Sequence, residues 1–235
     1  NVTLDNNNFC SNSGFYGGGL SIEPALQNTA QSYAVAYFRI QDCQFVGNVA
    51  TLGSAVYVVL FTLITTGLPP SVNFYHTLVQ GNVLNTSNQY EKYGAVYIHL
   101  VPVKFRDLIR FDNNDGSALA LIASHADFAS CRAEFFGNVG PKGAAIALLG
   151  ASWLLIGNDT RMRFENNIAT LDGGAIYNMY IEKEGFPTST NCFLKYTEAT
   201  VSPENWTARF TFINNSDSQG QNSIHSTSIL PCGVL

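Results

Sequence analysis

The sequence predicts an all-β protein, a right-handed single-stranded parallel β-helix (β-solenoid) of about seven coils in one domain, residues 1–235. A large apolar residue followed three positions later by Asn recurs seven times, and a small-residue cluster leading into an apolar stretch follows each copy. The repeat positions are Phe9 and Asn12, Phe45 and Asn48, Val79 and Asn82, Phe111 and Asn114, Phe135 and Asn138, Phe164 and Asn167, and Phe212 and Asn215.

The spacing of the repeats favours a solenoid of strands over a stack of helices. Successive Asn positions lie 36, 34, 32, 24, 29 and 48 residues apart. Helical repeats keep a fixed length, whereas a β-solenoid keeps its strands in register and lets the loops vary. A β-propeller is the alternative; it is disfavoured because the repeats are short for four strands and no Trp-Asp signature recurs.

Each repeat position has a predicted structural role. The Phe of one coil is expected to stack inside on the Phe of the next coil. The Asn is expected to lie at a turn, to adopt left-handed backbone geometry, and to bond the Asn above and below. Gly-Gly or Gly-Ala is expected where only a small side chain fits.

The best copy of the repeat runs from Phe164-Glu-Asn-Asn167 to Gly173-Gly174-Ala175-Ile176. It is similar to the repeat of the chlamydial polymorphic outer-membrane proteins. The resemblance covers nearly all of the chain, and it implies a parallel β-helix that acts in adhesion. The spread-out cysteines of this chain depart from such a bacterial passenger region.

Composition excludes several classes of protein. Aromatic residues make up 12% of the chain, which excludes a disordered protein. Charged residues also make up only 12%, the net charge is −5, and no basic run occurs. Binding to nucleic acid or attachment to an anionic membrane therefore has no electrostatic basis, and direct insertion into a membrane is not expected either. No apolar stretch reaches the roughly 20 residues of a membrane-spanning helix.

Cysteines and glycosylation sequons indicate an extracellular or cell-surface protein, and the ends of the sequence suggest a segment of a longer chain. Five separated cysteines favour an oxidising compartment. We expect Cys10–Cys43 and Cys192–Cys232 disulfides with Cys131 left over; buried free thiols are the alternative. The candidate N-glycosylation sites are Asn1, Asn85, Asn158, Asn205 and Asn214.

The sequence holds no clear catalytic or metal-binding motif. Parallel β-helices include polysaccharide lyases and hydrolases, and glycosidic hydrolysis needs two carboxyl groups. Acidic residues at comparable turn positions are more simply interpreted as turn-forming residues. A calcium site is not expected, because no Gly-Gly-x-Gly-x-Asp series occurs in the sequence. Asp107 with Arg106 and Arg110 is interpreted as a solvated charge group. The acids are Asp112, Asp115, Asp172 and Asp217, and the unpartnered histidines are His76, His99, His125 and His225.

Loops and tyrosines are the candidate binding elements. Three interruptions are predicted as loops: residues 65–73, residues 84–93 and a long insertion at 182–206. Tyr57, Tyr97 and Tyr177 share one repeat position, which predicts a partly buried ladder. Tyr16 and Tyr180 lie near it.

We therefore expect a non-catalytic structural module of a surface, matrix or fibre assembly, without cofactor or metal. Its expected partners are other protein subunits or domains of that assembly, with glycans as a further candidate. An adhesin or carbohydrate-binding β-helix is the alternative, and a polysaccharide lyase or hydrolase is the second alternative.

Overall fold

The computed structural model describes residues 2–23, 37–59, 71–87, 92–179, 193–197, 209–220 and 224–226. Within these ranges the chain forms strands and no α-helix, so none of them holds a helix that could span a bilayer. The strands are β1 Val2–Asp5, β2 Asn8–Cys10, β3 Leu20–Ile22, β4 Tyr37–Gln41, β5 Gln44–Val46, β6 Val49–Ala50, β7 Val56–Val59, β8 Ser71–Gln80, β9 Val83–Leu84, β10 Val96–His99, β11 Val103–Asp112, β12 Leu119–Ile122, β13 His125–Phe136, β14 Val139–Lys142, β15 Ile146–Leu149, β16 Trp153–Ile156, β17 Arg161–Glu165, β18 Ile168–Asp172, β19 Ile176–Met179, β20 Leu194–Tyr196, β21 Phe210–Ile213 and β22 Ile224–Ser226.

The strands wind into seven coils, numbered 1 to 7 along the chain, each contributing to three parallel faces. A first sheet of eleven strands runs from β1 to β21, and a second sheet orders β3, β7, β10, β12, β15, β19 and β22. Two short pairs, β6–β9 and β14–β18, form the third face. Every pairing is parallel and joins neighbouring coils, as in Val96↔Leu119 and Leu119↔Ile146. The predicted parallel β-helix is therefore confirmed.

The repeated apolar residue forms a continuous interior column on the first sheet. Ring centroids lie 4.8 Å apart for Phe9–Phe45, 4.7 Å for Phe111–Phe135, 5.1 Å for Phe135–Phe164 and 4.9 Å for Phe164–Phe212. Val79 occupies the remaining coil, paired with Phe45 on one side and Phe111 on the other. The ring planes are nearly parallel because the parallel register places identical side chains directly above one another.

The repeated Asn forms a second column, named here the asparagine ladder. In each coil the backbone N–H and the Nδ2 of the Asn donate to the Oδ1 of the Asn in the next coil, over six steps from Asn12 to Asn215. The second Nδ2 hydrogen reaches the carbonyl of the repeat apolar residue one coil back, as from Asn114 to Val79. From coil 2 onward the ladder is buried, which satisfies polar groups that water cannot reach.

The left-handed turn residue precedes the ladder Asn, so its predicted position was wrong by one residue. Positive φ angles occur at Ser11, Gly47, Gly81, Asn113, Gly137, Asn166 and Asn214. Gly and Asn tolerate this conformation best, which explains why they dominate the position. The ladder Asn itself is freed to direct its amide along the solenoid axis.

Small residues occur where backbones of neighbouring coils meet. A Cβ atom placed on Gly174 would lie 2.6 Å from the carbonyl oxygen of Ser216 in the next coil. A Cβ on Gly19 would lie 2.7 Å from the oxygen of Ala55. The small-residue cluster of the repeat therefore sets how closely successive coils approach.

All three predicted loops contain strand residues. Leu84 ends β9, so the loop predicted at 84–93 is wrong at its first residue. Residues 71–73 belong to β8, so the loop predicted at 65–73 is wrong at its end. Strand β20 falls within the predicted insertion at 182–206 and pairs with β16 in the first sheet. The rest of that insertion, including Cys192 and Asn205, lies outside the described residues apart from residues 193 and 197.

Candidate functional site

The four candidate acids do not converge on one site. Asp112 lies on the outer face of β11, where the Nη2 of Arg110 is 3.0 Å from its Oδ2. Asp115 lies on the third face and pairs with Lys92, whose Nζ is 2.9 Å from its Oδ2. Asp172 ends β18 opposite Lys142, and Asp217 accepts the N–H of Gln219 in a turn.

The strongest side-chain constellation is one that the sequence interpretation missed. It lies on the outer face of the first sheet and is named here the arginine grid. Three neighbouring coils contribute three outward residues each. The grid consists of Leu108, Arg110 and Asp112 in coil 4, Arg132, Glu134 and Phe136 in coil 5, and Arg161, Arg163 and Glu165 in coil 6.

Within the arginine grid, guanidinium groups project outward and carboxylates are recessed. Arg132 is 66% exposed and its partner Glu134 is 11% exposed, with 2.7 Å between Nη2 and Oε1. Arg163 pairs with Glu165 at 2.7 Å in the same way. Each ion pair joins residues two apart on one strand. The protruding charge of the grid is therefore positive, in a chain whose net charge is −5.

Phe136 is the aromatic residue of the arginine grid. The guanidinium carbons of Arg110 and Arg163 lie 4.9 Å and 5.5 Å from its ring centroid, one in each neighbouring coil. These cation–π contacts orient the two side chains and leave their outer N–H groups toward solvent. The grid can therefore donate hydrogen bonds from the arginines and accept them at the recessed carboxylates.

The charge group predicted around Arg106 is only partly solvated. Asp107 is exposed at a backbone φ of 62° and Arg110 belongs to the grid. Arg106 instead binds Asp127 of the next coil through two N–O contacts of 3.1 Å and 2.6 Å. Both side chains are partly buried, so this pair stabilises the sheet rather than forming part of a solvated cluster.

Among the described residues, no histidine lies beside a catalytic nucleophile. No group of three His, Cys, Asp or Glu side chains in this part of the chain could hold a metal ion. The His125 ring stacks on Trp153 at 4.2 Å, and Lys195 covers the same Trp153 ring. Burial lowers the pKa of His125, and burial also lowers that of His99 beside Tyr97. His76 lies 3.5 Å from Asp42 on the surface, and His225 lies in β22.

The predicted tyrosine ladder forms in part. Tyr16, Tyr57 and Tyr97 stack at 4.7 Å and 5.4 Å, and the last two are half-buried. Burial together with the neighbouring phenols raises the pKa of Tyr57 to about 12. Tyr177 is separated from Tyr97 by Ala120 and Ala147 in the intervening coils, and it is buried. Tyr180 lies outside the described residues.

The first coil is the most open part of the described chain. Phe15 is 65% exposed and Val2 45% exposed. The ladder Asn12 is also exposed, and Phe9 is only half-buried because its ring stacks on Phe45 alone. Leu4, Leu20, Ile22 and Ile40 line a shallow apolar depression beside it.

The predicted Cys10–Cys43 disulfide is absent, and both thiols are free. Cys10 pairs in register with Val46, three residues beyond Cys43, which corresponds to about 10 Å along a strand. Cys10 is exposed whereas Cys43 is buried and contacts the carbonyl of Gln41. The buried-thiol alternative therefore holds for Cys43 and also for Cys131. Cys192 and Cys232 lie outside the described residues.

The cysteines are expected to differ sharply in reactivity. Iodoacetamide should label Cys10 rapidly in the native protein. It should label Cys131 at least about a hundredfold more slowly, because a buried thiol reacts only after local unfolding exposes it. Burial raises the pKa of Cys131 to about 12 and also raises that of Cys43. Labelling at pH 8 followed by peptide mapping measures each site. Equal rates at Cys10 and Cys43 would show that this placement is wrong.

The described sequons differ in accessibility. Asn85 is exposed just after β9, and Asn214 is exposed at a turn with φ 49°. Asn158 is half-buried, and its Oδ1 accepts a hydrogen bond from Arg209 at 3.1 Å. Asn1 and Asn205 lie outside the described residues. Asn85 and Asn214 are therefore the accessible sequons among the described residues.

Comparison of the chain with protein families, with curated proteins and with solved structures gives no match. Function must therefore be inferred from the geometry of the molecule itself, above all from the asparagine ladder and the arginine grid.

Proposed function

We propose that this chain is a non-catalytic structural module of an extracellular surface, matrix or fibre assembly. The carrying observation is the unbroken asparagine ladder, which bonds each coil to the next from Asn12 to Asn215. Hydrogen bonds and ring stacking that repeat in every coil give a stiff column whose interior holds few polar groups without partners. Such a column suits a spacer that presents its faces and ends to other subunits.

The hydrogen bonds that the surface carboxylates accept support a non-catalytic role. Hydrolysis of a glycosidic bond needs one acid that holds a proton and one carboxylate that acts as base or nucleophile. Asp112 accepts hydrogen bonds from Arg110, Gln80 and Asn113. Glu134 accepts from Arg132. These carboxylates are therefore engaged by donor side chains of the sheet itself, which supports a role in holding the outer face together.

The extracellular part of the proposal depends on the sequons, since the described cysteines form no disulfide. An Asn-glycan on Asn85 would project from the edge of the third face without displacing a buried side chain. It would also add solubility to a surface that has few charges.

Cross-linking of native source material tests the proposal. We expect the chain in covalent species far larger than its 25.6 kDa, and we expect the Asn85 peptide to lose mass on enzymatic deglycosylation. A chain recovered only as an unglycosylated monomer would contradict both parts. Turnover of a polysaccharide by the purified protein would contradict the non-catalytic role.

The arginine grid favours a second candidate function, binding of an acidic polysaccharide. Its guanidinium groups can hold sugar carboxylates or sulfates, and its recessed carboxylates can accept sugar hydroxyls. The same carboxylates would repel a dense polyphosphate, which favours a polysaccharide over a nucleic acid.

Polygalacturonate should bind, and Arg132→Gln with Arg163→Gln should weaken binding at least tenfold. Arg39→Gln, on the same sheet outside the grid, is the matched control. Equal binding of neutral dextran would contradict this candidate.

A further inference from the structure

We infer that the arginine grid binds a sulfated polysaccharide, whose sulfate esters are held by three arginines that share one outward position in consecutive coils. These residues, named here the arginine column, are Arg132, Arg161 and Arg209. The inference rests on the second candidate function, binding of an acidic polysaccharide, and names the acidic group that the grid selects. Its basis is which nitrogen atoms of each guanidinium group already have partners.

The arginine column brings like charges together in neighbouring coils. Arg132 pairs in register with Arg161. Arg209 directly precedes β21, and each of the three arginines lies six positions before the ladder Asn of its own coil. Neighbouring strands lie about 4.8 Å apart, and like charges at directly opposite positions destabilise a sheet. A bound anion would offset this repulsion.

Arg161 is the open member of the arginine column. It is exposed, and its Nη1 donates to the carbonyl oxygens of Asn158 at 3.0 Å and of Thr160 at 2.7 Å. Within the described ranges, its Nε and Nη2 donate to no residue and no carboxylate pairs with it. These two nitrogens form the guanidinium edge that binds an oxyanion through two parallel hydrogen bonds. The carbonyl contacts therefore hold Arg161 in place without neutralising its charge.

The neighbours of Arg161 in the arginine column complete an anion site. Arg132 donates from Nε and Nη2 to one oxygen of Glu134, at 2.9 Å and 2.7 Å, so its Nη1 has no partner in the part of the chain described. Arg209 donates from Nη2 to the Oδ1 of Asn158 at 3.1 Å. Asn158 accepts from both Arg161 and Arg209 and so positions them. Positive charge therefore flanks Arg161 in both adjoining coils.

The recessed carboxylates of the grid decide which anion fits. Arg132 and Arg163 already hold Glu134 and Glu165 on their own strands. A sugar carboxylate would compete with these tethered groups of the same chemistry, which act at high effective concentration. A sulfate ester presents three oxygens on a tetrahedral centre, so it can accept from Arg161 and from the Nη1 of Arg132 without displacing Glu134. A phosphate monoester carries nearly two charges, and both carboxylates would repel it more strongly.

The arrangement of the cations favours a polymer over a free anion. A single sulfate would bind weakly, because exposed ion pairs gain little free energy in water. A polysaccharide places several sulfate esters along the grid, and each contact after the first becomes intramolecular. Arg110 and Arg163 supply further cations at the adjoining outward position. All seven arginines of the chain lie on strands of the first sheet or directly before one, which concentrates positive charge on this face.

Polymers that share one backbone test the choice of anion. Dextran sulfate should bind the full chain at least tenfold more tightly than carboxymethyl dextran of equal length and charge, and neutral dextran should not bind. Isothermal titration calorimetry at constant ionic strength measures these affinities. Equal affinity for dextran sulfate and carboxymethyl dextran would overturn the inference, and so would single-stranded DNA of matched charge that binds as tightly as dextran sulfate. Full competition by inorganic sulfate at the same sulfate concentration would show a site for the free anion only.

Two charge-matched variants locate the binding. Arg161→Gln removes the open guanidinium edge and should weaken the binding of dextran sulfate at least tenfold. Lys104→Gln removes an exposed cation from β11 on the same sheet, outside the grid, and should change the affinity less than about threefold. Thermal unfolding checks that both variants remain folded. Equal effects of the two substitutions would mean that only net charge matters, which would refute the role of the arginine column.

Chemical protection gives a readout that needs no variant. Phenylglyoxal modifies accessible guanidinium groups, and peptide mapping follows each arginine separately. Dextran sulfate should protect Arg132 and Arg161 more strongly than Arg39, which lies on β4 outside the grid. Equal protection of Arg39 and Arg161 would place the ligand elsewhere on the sheet.

Two further results separate this inference from the candidate function on which it rests. Polygalacturonate that binds as tightly as dextran sulfate, and that Arg132→Gln with Arg163→Gln releases, would retain the acidic-polysaccharide role and refute only the choice of sulfate. Absence of binding to every polyanion would refute both, while the structural role would still depend on the cross-linking result.

Discussion

Replacement of Asn114 by Ala is expected to lower the free energy of unfolding by about 4 kcal/mol, because it removes four hydrogen bonds between buried groups at about 1 kcal/mol each. The Oδ1 of Asn114 accepts from the backbone N–H and the Nδ2 of Asn82 at 3.1 Å and 3.0 Å. Its Nδ2 donates to the carbonyl of Val79 and to the Oδ1 of Asn138. Asn114 is 1% exposed, so water cannot substitute.

Urea unfolding followed by far-ultraviolet circular dichroism measures this loss. The matched control is Asn113→Gly at the adjacent position, where φ is 51° and glycine fits without strain. We expect that control to change stability by less than about 1 kcal/mol. A loss for Asn114→Ala no larger than that for Asn113→Gly would refute the structural role of the ladder.

The interior of this fold could be predicted from sequence because its residues repeat. Phe135 and Phe164 are surrounded by the same groups in successive coils, and so are Asn138 and Asn167. Identical surroundings select identical residues, which makes the columns visible without coordinates. The Phe stacking and the Asn bonding were predicted correctly; the left-handed turn was placed one residue too late.

The arginine grid was missed because outward positions do not repeat. The outward position that holds its central column reads Arg110, Glu134 and Arg163 in coils 4 to 6, but Leu78 in coil 3 and Thr211 in coil 7. The signal exists once each coil is aligned on its ladder Asn, since Arg110 and Arg163 both lie four residues before it. Sequence spacing alone hides this alignment, because the coils differ in length.

The same alignment excludes the disulfide that we had expected. Cys10 lies two residues before its ladder Asn, and Cys43 lies five residues before its own. Side chains alternate between the two faces of a strand, so an even and an odd offset point to opposite sides. Cys131, seven residues before Asn138, shares the odd offset and is likewise buried. The disulfide prediction considered only that the two cysteines lie in adjacent coils, and not the face of the strand on which each side chain lies.

Truncation of Phe135 to Ala is expected to lower the free energy of unfolding by about 3–5 kcal/mol, the range for a fully buried aromatic side chain. The Phe135 ring stacks on Phe111 at 4.7 Å and on Phe164 at 5.1 Å. Its loss opens a cavity in the centre of the column, and the coils on both sides cannot collapse into it, because their backbones are fixed by the sheet hydrogen bonds.

Phe212→Ala provides the matched control, since Phe212 belongs to the same column but is 36% exposed. It stacks on Phe164 at 4.9 Å, and solvent reaches part of its ring. We expect a loss of about 1–2 kcal/mol there, since less apolar area is removed from burial. Comparison of the urea midpoints of both variants with that of the unmodified chain decides the matter. Equal losses would mean that stability depends on ring contacts in general and not on enclosure within the column, whereas a larger loss at Phe135 would show that enclosure within the phenylalanine column adds to stability.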